Sequence, residues 1–380
     1  MASSSHKQQQ RLPNMYGPPS APPPTPSAHL PSTPSNPSSA EVTDFLSCLI
    51  HRLPPTLSFP PRCQPSTTAD LPSISFPHGD TSNPSFLEDV LSTCTTSSFF
   101  QLTGHPVSKQ VALSAESEMV SAFDLSHEKK RTYFPWNWPF GYVNDVEDEE
   151  SYDTGEFFLL DESSLSYAES ESTELELSSL RDLSRSLEKV GWEVIGWLFD
   201  AMRVESPVEK GRTEVCSLAW VSKDSTGGAG CSNMTGTSYS GLYYPFVVGL
   251  RYQVRSRKYS LMTDSGPVVV APQVDSILVT IGDVAQLWSN GRLKKVRGRP
   301  IPCPGTEEGR DNGSGDDVAL TLLMTLPMET TVSPLPRKTA VHADTGSEDD
   351  REEFDSFAFE DYAWRVYPDR RISYKDPLDR

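Results

Sequence analysis

Cationic residues are scarce in this 380-residue chain: 33 Lys and Arg stand against 52 Asp and Glu, a formal net charge of -19. So acidic a chain disfavours nucleic acid as a partner, and it carries no recognised nucleic-acid-binding motif. No run approaches the roughly 18 to 20 consecutive apolar residues of a membrane span, and no apolar signal core follows a basic start. A soluble intracellular protein is expected, cytoplasmic by default, with nucleus and plastid left open. The six cysteines, Cys48, Cys63, Cys94, Cys216, Cys231 and Cys303, include no Cys-x-x-Cys pair. That argues against a structural zinc site and a disulfide framework, and for reduced, partly buried thiols. Gly-x-Ser-x-Gly, P-loop and dinucleotide fingerprints are missing, so hydrolase and nucleotide chemistry lack support. Histidine is absent from 128 to 341.

Proline is plentiful, 33 residues in all, and 18 of them crowd into the first quarter, in runs such as Ala21-Pro22-Pro23-Pro24. Too little apolar surface accompanies them to offset the entropy of ordering, so residues 1 to about 40 are expected to be disordered. A Pro/Ser-rich tail explains this composition better than a transit peptide, since Arg is sparse and no amphipathic face is present. The division expected is a tail at 1–68 with one short helix near 40–53, a helix-and-strand region at 69–205, a β core at 206–335, and an acidic linker with an aromatic helix at 336–380.

Within these regions, spacing predicts an extended piece at Leu71 to Phe76, a helix at Ser85 to Cys94 and a strand at Ser98 to Leu102. The acidic run from Asp145 to Glu176, with no Lys or Arg, suggests a solvated loop. Leu180, Leu183, Leu187, Val190, Val194, Trp197 and Leu198 recur at three- and four-residue steps, which makes a long helix over 170–204 with one buried stripe. Short apolar segments follow at 216–221, 244–254, 267–272, 276–281, 284–289 and 319–326, separated by turn signals that include the hairpin pair Asn290-Gly291. Strands at this spacing suggest a β-sandwich or jelly roll. The aromatic stretch Phe354 to Tyr367 is expected to dock as a last helix, because left free it would expose a large apolar patch.

Three phrases carry a resemblance. Ser98 to Val107 (SFFQLTGHPV) is similar to a "GFF, then N-H-G" strand and turn, and Leu71 to Phe76 to an opening "I-P-V-I-D-L". Asp275 to Pro300 (DSILVTIGDVAQLWSNGRLKKVRGRP) matches "G-D-x-x-Q-x-W-S-N-G-x-x-K-S-V-x-H-R-V" at nearly every step. Over about 70–380 the chain resembles the plant 2-oxoglutarate and Fe(II)-dependent oxygenases, the group of gibberellin and ACC oxidases. The resemblance implies an α+β fold: a double-stranded β-helix (jelly-roll) core with a helical N-terminal region, preceded here by the Pro/Ser-rich tail.

The family's chemistry implies two His and a carboxylate on iron, as H-x-D and a later His, with an Arg in R-x-S gripping the co-substrate carboxylate. Counted without gaps from Ile281-Gly282-Asp283, H-x-D falls on Leu242, Tyr243 and Tyr244. The later His falls on Gly298, and R-x-S, counted back from Pro327, on Val318 and Leu320. A rival alignment keeps Asp264 as the carboxylate, although Asp264-Ser265-Gly266 has the composition of a tight turn. His342-Ala343-Asp344 is a chance H-x-D in a loop-like segment, and His105 matches a conformational position. No metal and no co-substrate are therefore expected, and the resemblance implies a pseudo-enzyme acting as a binding or regulatory module. Fe(II) and 2-oxoglutarate belong only to the alternative, an active dioxygenase of a small plant metabolite with atypical ligands. Arg251, Arg255 and Arg257 alternate, predicting one outward basic face with Leu250, Tyr252 and Val254 inward. Lys294, Lys295 and Arg297 add a second group, so a partner protein or small anionic ligand is expected there.

Overall fold

The computed structural model describes residues 67–77, 79, 83–144, 156–171, 174–208, 213–224, 243–303, 317–336 and 356–366. The expected disordered tail, the helix near 40–53, the acidic linker and His342 lie outside them.

Short β1 (Thr67–Thr68) and β2 (Ser73–Ser75) lead into α1 (Pro84–Thr96), whose N-cap Asn83 accepts the Ser85 amide while Pro84 pre-sets the first turn. Then come β3 (Phe99–Thr103), α2 (Lys109–Phe123), α3 (His127–Tyr133), β4 (Gly141–Asn144), β5 (Glu156–Leu160), α4 (Glu162–Glu171) and the long α5 (Ser178–Met202). The rest is mostly strand: β6 (Cys216–Asp224), β7 (Val248–Tyr252), β8 (Tyr259–Thr263), β9 (Gly266–Val270), β10 (Ile277–Ile281), α6 (Asp283–Trp288), β11 (Val296–Pro302) and β12 (Asp317–Thr325). The small β13 (Thr331–Val332) and β14 (Phe357–Ala358) pair before the last helix, α7 (Phe359–Val366). None of the described helices is long and apolar enough to cross a membrane.

Eight strands make one sheet in the order β2-β3-β10-β7-β12-β6-β5-β4, and four make a second in the order β1-β9-β8-β11. Strand alternation then sorts the core. Phe100, Leu102, Leu250, Val279, Leu322 and Met324 join the cluster that holds the buried residues of α2 and α5. Phe99, Leu278, Tyr259, Leu261, Val270 and Val296 form a second cluster, drawn from both sheets. The large sheet is thus covered on both faces, by helices outside and by the small sheet inside. The expected jelly-roll core is observed.

Helix α5 supplies most of the outer cover. Leu180, Leu183, Leu187, Val190, Val194, Trp197 and Leu198 are all buried, each such side chain contributing about 2 kcal/mol. The helix comes close to the sheet at Gly191, where an added Cβ would lie 2.8 Å from Met324 Cγ and 3.2 Å from Leu250 Cδ1. It ends at Arg203, a left-handed residue (φ 57°) whose amide bonds back to the Asp200 and Phe199 carbonyls.

Three local expectations are overturned. The acidic run is not all loop: Phe157, Phe158, Leu159 and Leu160 are buried in β5, and α4 follows. Residues 284–289 are not a strand, for Asp283–Trp288 is helical and starts from Gly282. Asn290-Gly291 is consequently no hairpin; its two positive-φ residues (51° and 78°) turn α6 toward β11, which the sequence did not reveal as a strand. The C-terminal expectation holds: Phe359 and Tyr362 are buried, the Phe359 ring lies 6.3 Å from Tyr244, and Trp364 stacks on Trp138 with centroids 4.1 Å apart.

Candidate functional site

The chemistry that the sequence points to needs side chains projecting between the two sheets. Strand β12 decides one part of it. Leu322 pairs with Leu250 and Met324 with Val248, and both Met324 and Leu250 lie against Gly191 of α5. Val318 and Leu320 share their parity, so they point at α2 and α5 and not into the barrel. The residues expected for the co-substrate Arg and Ser therefore lie on the helix-facing side of β12. The inward positions of β12 are Ala319, Thr321 and Leu323, Thr321 being paired with Trp220. A slip of one residue exchanges the faces of a strand.

Gly298 sits where the pairing of β11 with β8 shifts, between Arg297 opposite Met262 and Ile301 opposite Ser260. Its φ is 69°, in the left-handed region that favours glycine, and this residue, expected at the later-His position, marks a bulge. A small cavity beside it is lined by Tyr243, Ser260, Met262, Arg297, Arg299 and Ile301. Tyr243 lines it, whereas Tyr244 turns its ring toward Phe359. Leu242 lies outside the described residues. The segment joining β6 to β7, residues 225–247, contains no His, Asp or Glu. Asp264 is exposed in the turn between β8 and β9, where Oδ2 accepts from Gln286 Nε2 (3.0 Å) and from the Lys295 amide (3.4 Å). It ties the turn to α6 and to the start of β11.

The basic face expected on β7 is also corrected. Arg251 pairs with Leu278 of the inner cluster and is only 2% exposed. Its guanidinium lies 4.4 Å from the Tyr259 ring centroid, and Nη1 donates to the Pro300 carbonyl at 3.3 Å. A desolvated cation over an aromatic ring is worth about 2 kcal/mol, which helps to hold the charge inside. Leu250 faces α5 instead. Arg255 is exposed, ion-paired with Glu116 of α2, and Arg257 is half-buried. Lys295 is buried against Asp283, 3.4 Å away, leaving Lys294 and the half-buried Arg297 nearer the surface. Arg299 is buried, its guanidinium 5.9 Å from the Trp220 ring.

These residues do not fit a ferrous ion. The residues expected at the donor positions are a glycine at a bulge, a tyrosine packed on the last helix and a turn aspartate committed to amide donors. The charged group that β7 sends inward is a guanidinium, which has no lone pair to offer a metal.

Around the site, a polar cluster fastens the β3–α2 turn to β7 and β10. His105 Nε2 bonds the Asp275 carbonyl at 3.0 Å, Tyr252 donates to Asp275 Oδ1 at 2.9 Å, and Lys109 pairs with Oδ2 at 3.0 Å. Desolvation pushes the His105 pKa below 6.5, against the raising effect of Asp275. The Lys109 and Tyr252 hydrogen bonds hold the Asp275 carboxyl below its ordinary value. Burial pushes the Cys94 thiol up to about 12, so it is no nucleophile.

Sequence reasoning missed Tyr259, Thr321 and Trp220 as inward-facing residues. The available signal was the pairing of β12 with β6 and β7, which needs the fold. Residues 71–176 match the family model described as the non-haem dioxygenase in morphine synthesis N-terminal region. No curated protein matches the chain. Among solved structures, JOX2 in complex with 2OG, Fe and JA superposes with a TM-score of 0.61 at 14% identity, covering 82% of this chain and 89% of that one. The rice dioxygenase for auxin oxidation gives 0.58 at 16% identity, with 81% and 99% covered. A 2OG-Fe(II) oxygenase family protein from Caulobacter crescentus gives 0.56 at 13% identity, with 77% and 97% covered. The N-terminal family match covers 71–176, and the fold of the described residues is similar to that of these 2-oxoglutarate and Fe(II)-dependent oxygenases.

Proposed function

We propose that this chain is a non-catalytic member of the superfamily, a jelly roll kept as a binding or regulatory module. One observation carries the reading: residues 128 to 341, which span every strand from β4 to β13, contain no histidine. A 2-His-1-carboxylate site needs two imidazoles, and no alignment within that span supplies even one. Placement supports it further, since Gly298 is a bulge and Asp264 a turn residue held by other donors. Leu, Tyr and Gly cannot replace the lost donors at neutral pH. What remains for function is the surface and the arginine-lined ends of the barrel, where an acidic protein segment or a small anion finds complementary charge at Arg255, Arg257, Lys294 and Arg297.

Anaerobic thermal unfolding tests this, with Fe(II), 2-oxoglutarate, both or neither, each at about a hundred times the dissociation constant of an active relative. An occupied active site would add about 2.7 kcal/mol and raise the midpoint by several degrees. No rise that depends on both ligands together is expected. A reproducible rise requiring both would overturn the reading.

A further inference from the structure

The outer face of α5 carries a projection and a recess side by side. Trp192 is 36% exposed, and at Gly196, four residues further on, an added Cβ would meet nothing within 4 Å. A cavity of about 170 Å³ runs along these turns, its lining chiefly apolar: Trp192, Ile195, Gly196, Phe199, Val204 and Val208. We propose that this face is a homodimer interface, in which α5 packs antiparallel on α5 of a second copy and each Trp192 enters the other's cavity. The inference is independent of the reading of the barrel.

A knob and a hole on one helix face complement themselves under a two-fold axis. Trp192, Gly196 and Asp200 follow one another at four-residue steps, so they form one stripe. An axis crossing α5 midway between Trp192 and Gly196 sets each Trp192 opposite the partner's Gly196, because in such an interface residue i meets j as j meets i. A cavity of about 150 Å³ takes benzene, so about 170 Å³ has room for an aromatic ring, with Ile195 and Phe199 beneath it. Charge supports the same register. Lys189 and Asp200 are both exposed on this stripe, and the axis that pairs Trp192 with Gly196 also brings Lys189 opposite the partner's Asp200, twice by symmetry. Arg185 comes opposite the partner's Arg203, but its charge is already answered by Glu162. Glu193, exposed beside the axis in both copies, works against the pairing as a like-charge contact at the rim.

Sedimentation velocity of the full chain over a wide range of concentration tests the pairing, at physiological ionic strength because two chains of net charge -19 repel at long range. A reversible monomer–dimer equilibrium is expected, since one helix pair is small among specific interfaces. Trp192→Ala removes the knob and Gly196→Leu fills the hole, and each should weaken the dimer about tenfold or more. Lys189→Glu or Asp200→Lys alone should weaken it about tenfold, while the double exchange should return the parent's equilibrium. Glu193→Gln should tighten it. All five positions lie at the helix surface, and an unchanged melting midpoint shows that each variant is folded. A monomer at every concentration, which would leave the groove to a different partner, overturns the proposal. So does a dimer indifferent to Gly196→Leu, or a double exchange no better than the single ones.

Discussion

Gly282, the glycine of the Gly-Asp pair in the family-like phrase, is where the strongest single perturbation is expected. A Cβ there would lie 2.1 Å from the Phe246 carbonyl oxygen and 2.6 Å from Phe246 Cδ2. The first of these neighbours is backbone and cannot swing aside. Relief requires α6 to move off the segment before β7, breaking the Gly282 amide bond to the Val247 carbonyl (2.9 Å) and the Val284 amide bond to the Phe246 carbonyl (3.1 Å). Two such bonds are worth about 1 kcal/mol each, and overpacking adds about 1–3 kcal/mol. Gly282→Ala should therefore cost about 3–5 kcal/mol and lower the melting midpoint by roughly 10 °C. The contrast is Gly196→Ala in α5, where an added Cβ meets nothing within 4 Å and helix propensity favours alanine by up to about 1 kcal/mol. Calorimetric melts of the three proteins decide the matter. A Gly282→Ala midpoint within a degree of the parent, or an equal loss in Gly196→Ala, would refute the close-approach reasoning. Confirmed, it explains the phrase as a docking device, so its survival says nothing about chemistry.

Two further outcomes are expected. Lys130, only 6% exposed, has Nζ 2.6 Å from Glu156 Oε1 and also within 6 Å of the Phe123 and Tyr142 ring centroids, so Glu156→Gln strands a buried cation and should cost about 3 kcal/mol in urea unfolding. Lys129→Gln, which breaks the exposed pair with Glu174, should leave stability almost unchanged; equal effects would contradict this. For His105, the folded pKa lies below the unfolded value of about 6.5, so the unfolded chain binds the extra proton. Its contribution is complete above pH 6.5 and is lost as pH falls from there through the folded value. Stability measured from pH 7.5 to 5 should decline more steeply in the parent than in His105→Gln; parallel curves would show that His105 is not the titrating group.

Much of the fold could be read from the residues, and the failures have physical causes. The α5 stripe was legible because one face of that helix is buried and the other wet. On β7 the same logic misled: both faces of the strand are covered, so alternation carries no polarity signal, and Arg251 went in where a leucine was expected. Asp283 to Trp288 is too short for its apolar residues to separate a period of 3.6 from a strand. At the site, the absence of histidine from 128 to 341 was plain from the sequence alone. The facing of β12 was not, because only cross-strand pairing fixes which of its residues turn toward the helices.

The strand order also sets a timetable. Phe99 of β3 pairs with Thr280 of β10, roughly 180 residues later, and β7 is flanked by β10 and β12. During synthesis α1, α2 and α5 emerge before the strands against which their apolar faces come to rest. Until β7, β10 and β12 are released the sheet beneath those faces is incomplete, and the nascent chain carries adhesive surface for most of its synthesis. Assembly of this protein should therefore be slow and sensitive to chaperone supply, with truncation before β12 giving aggregates instead of a smaller folded domain.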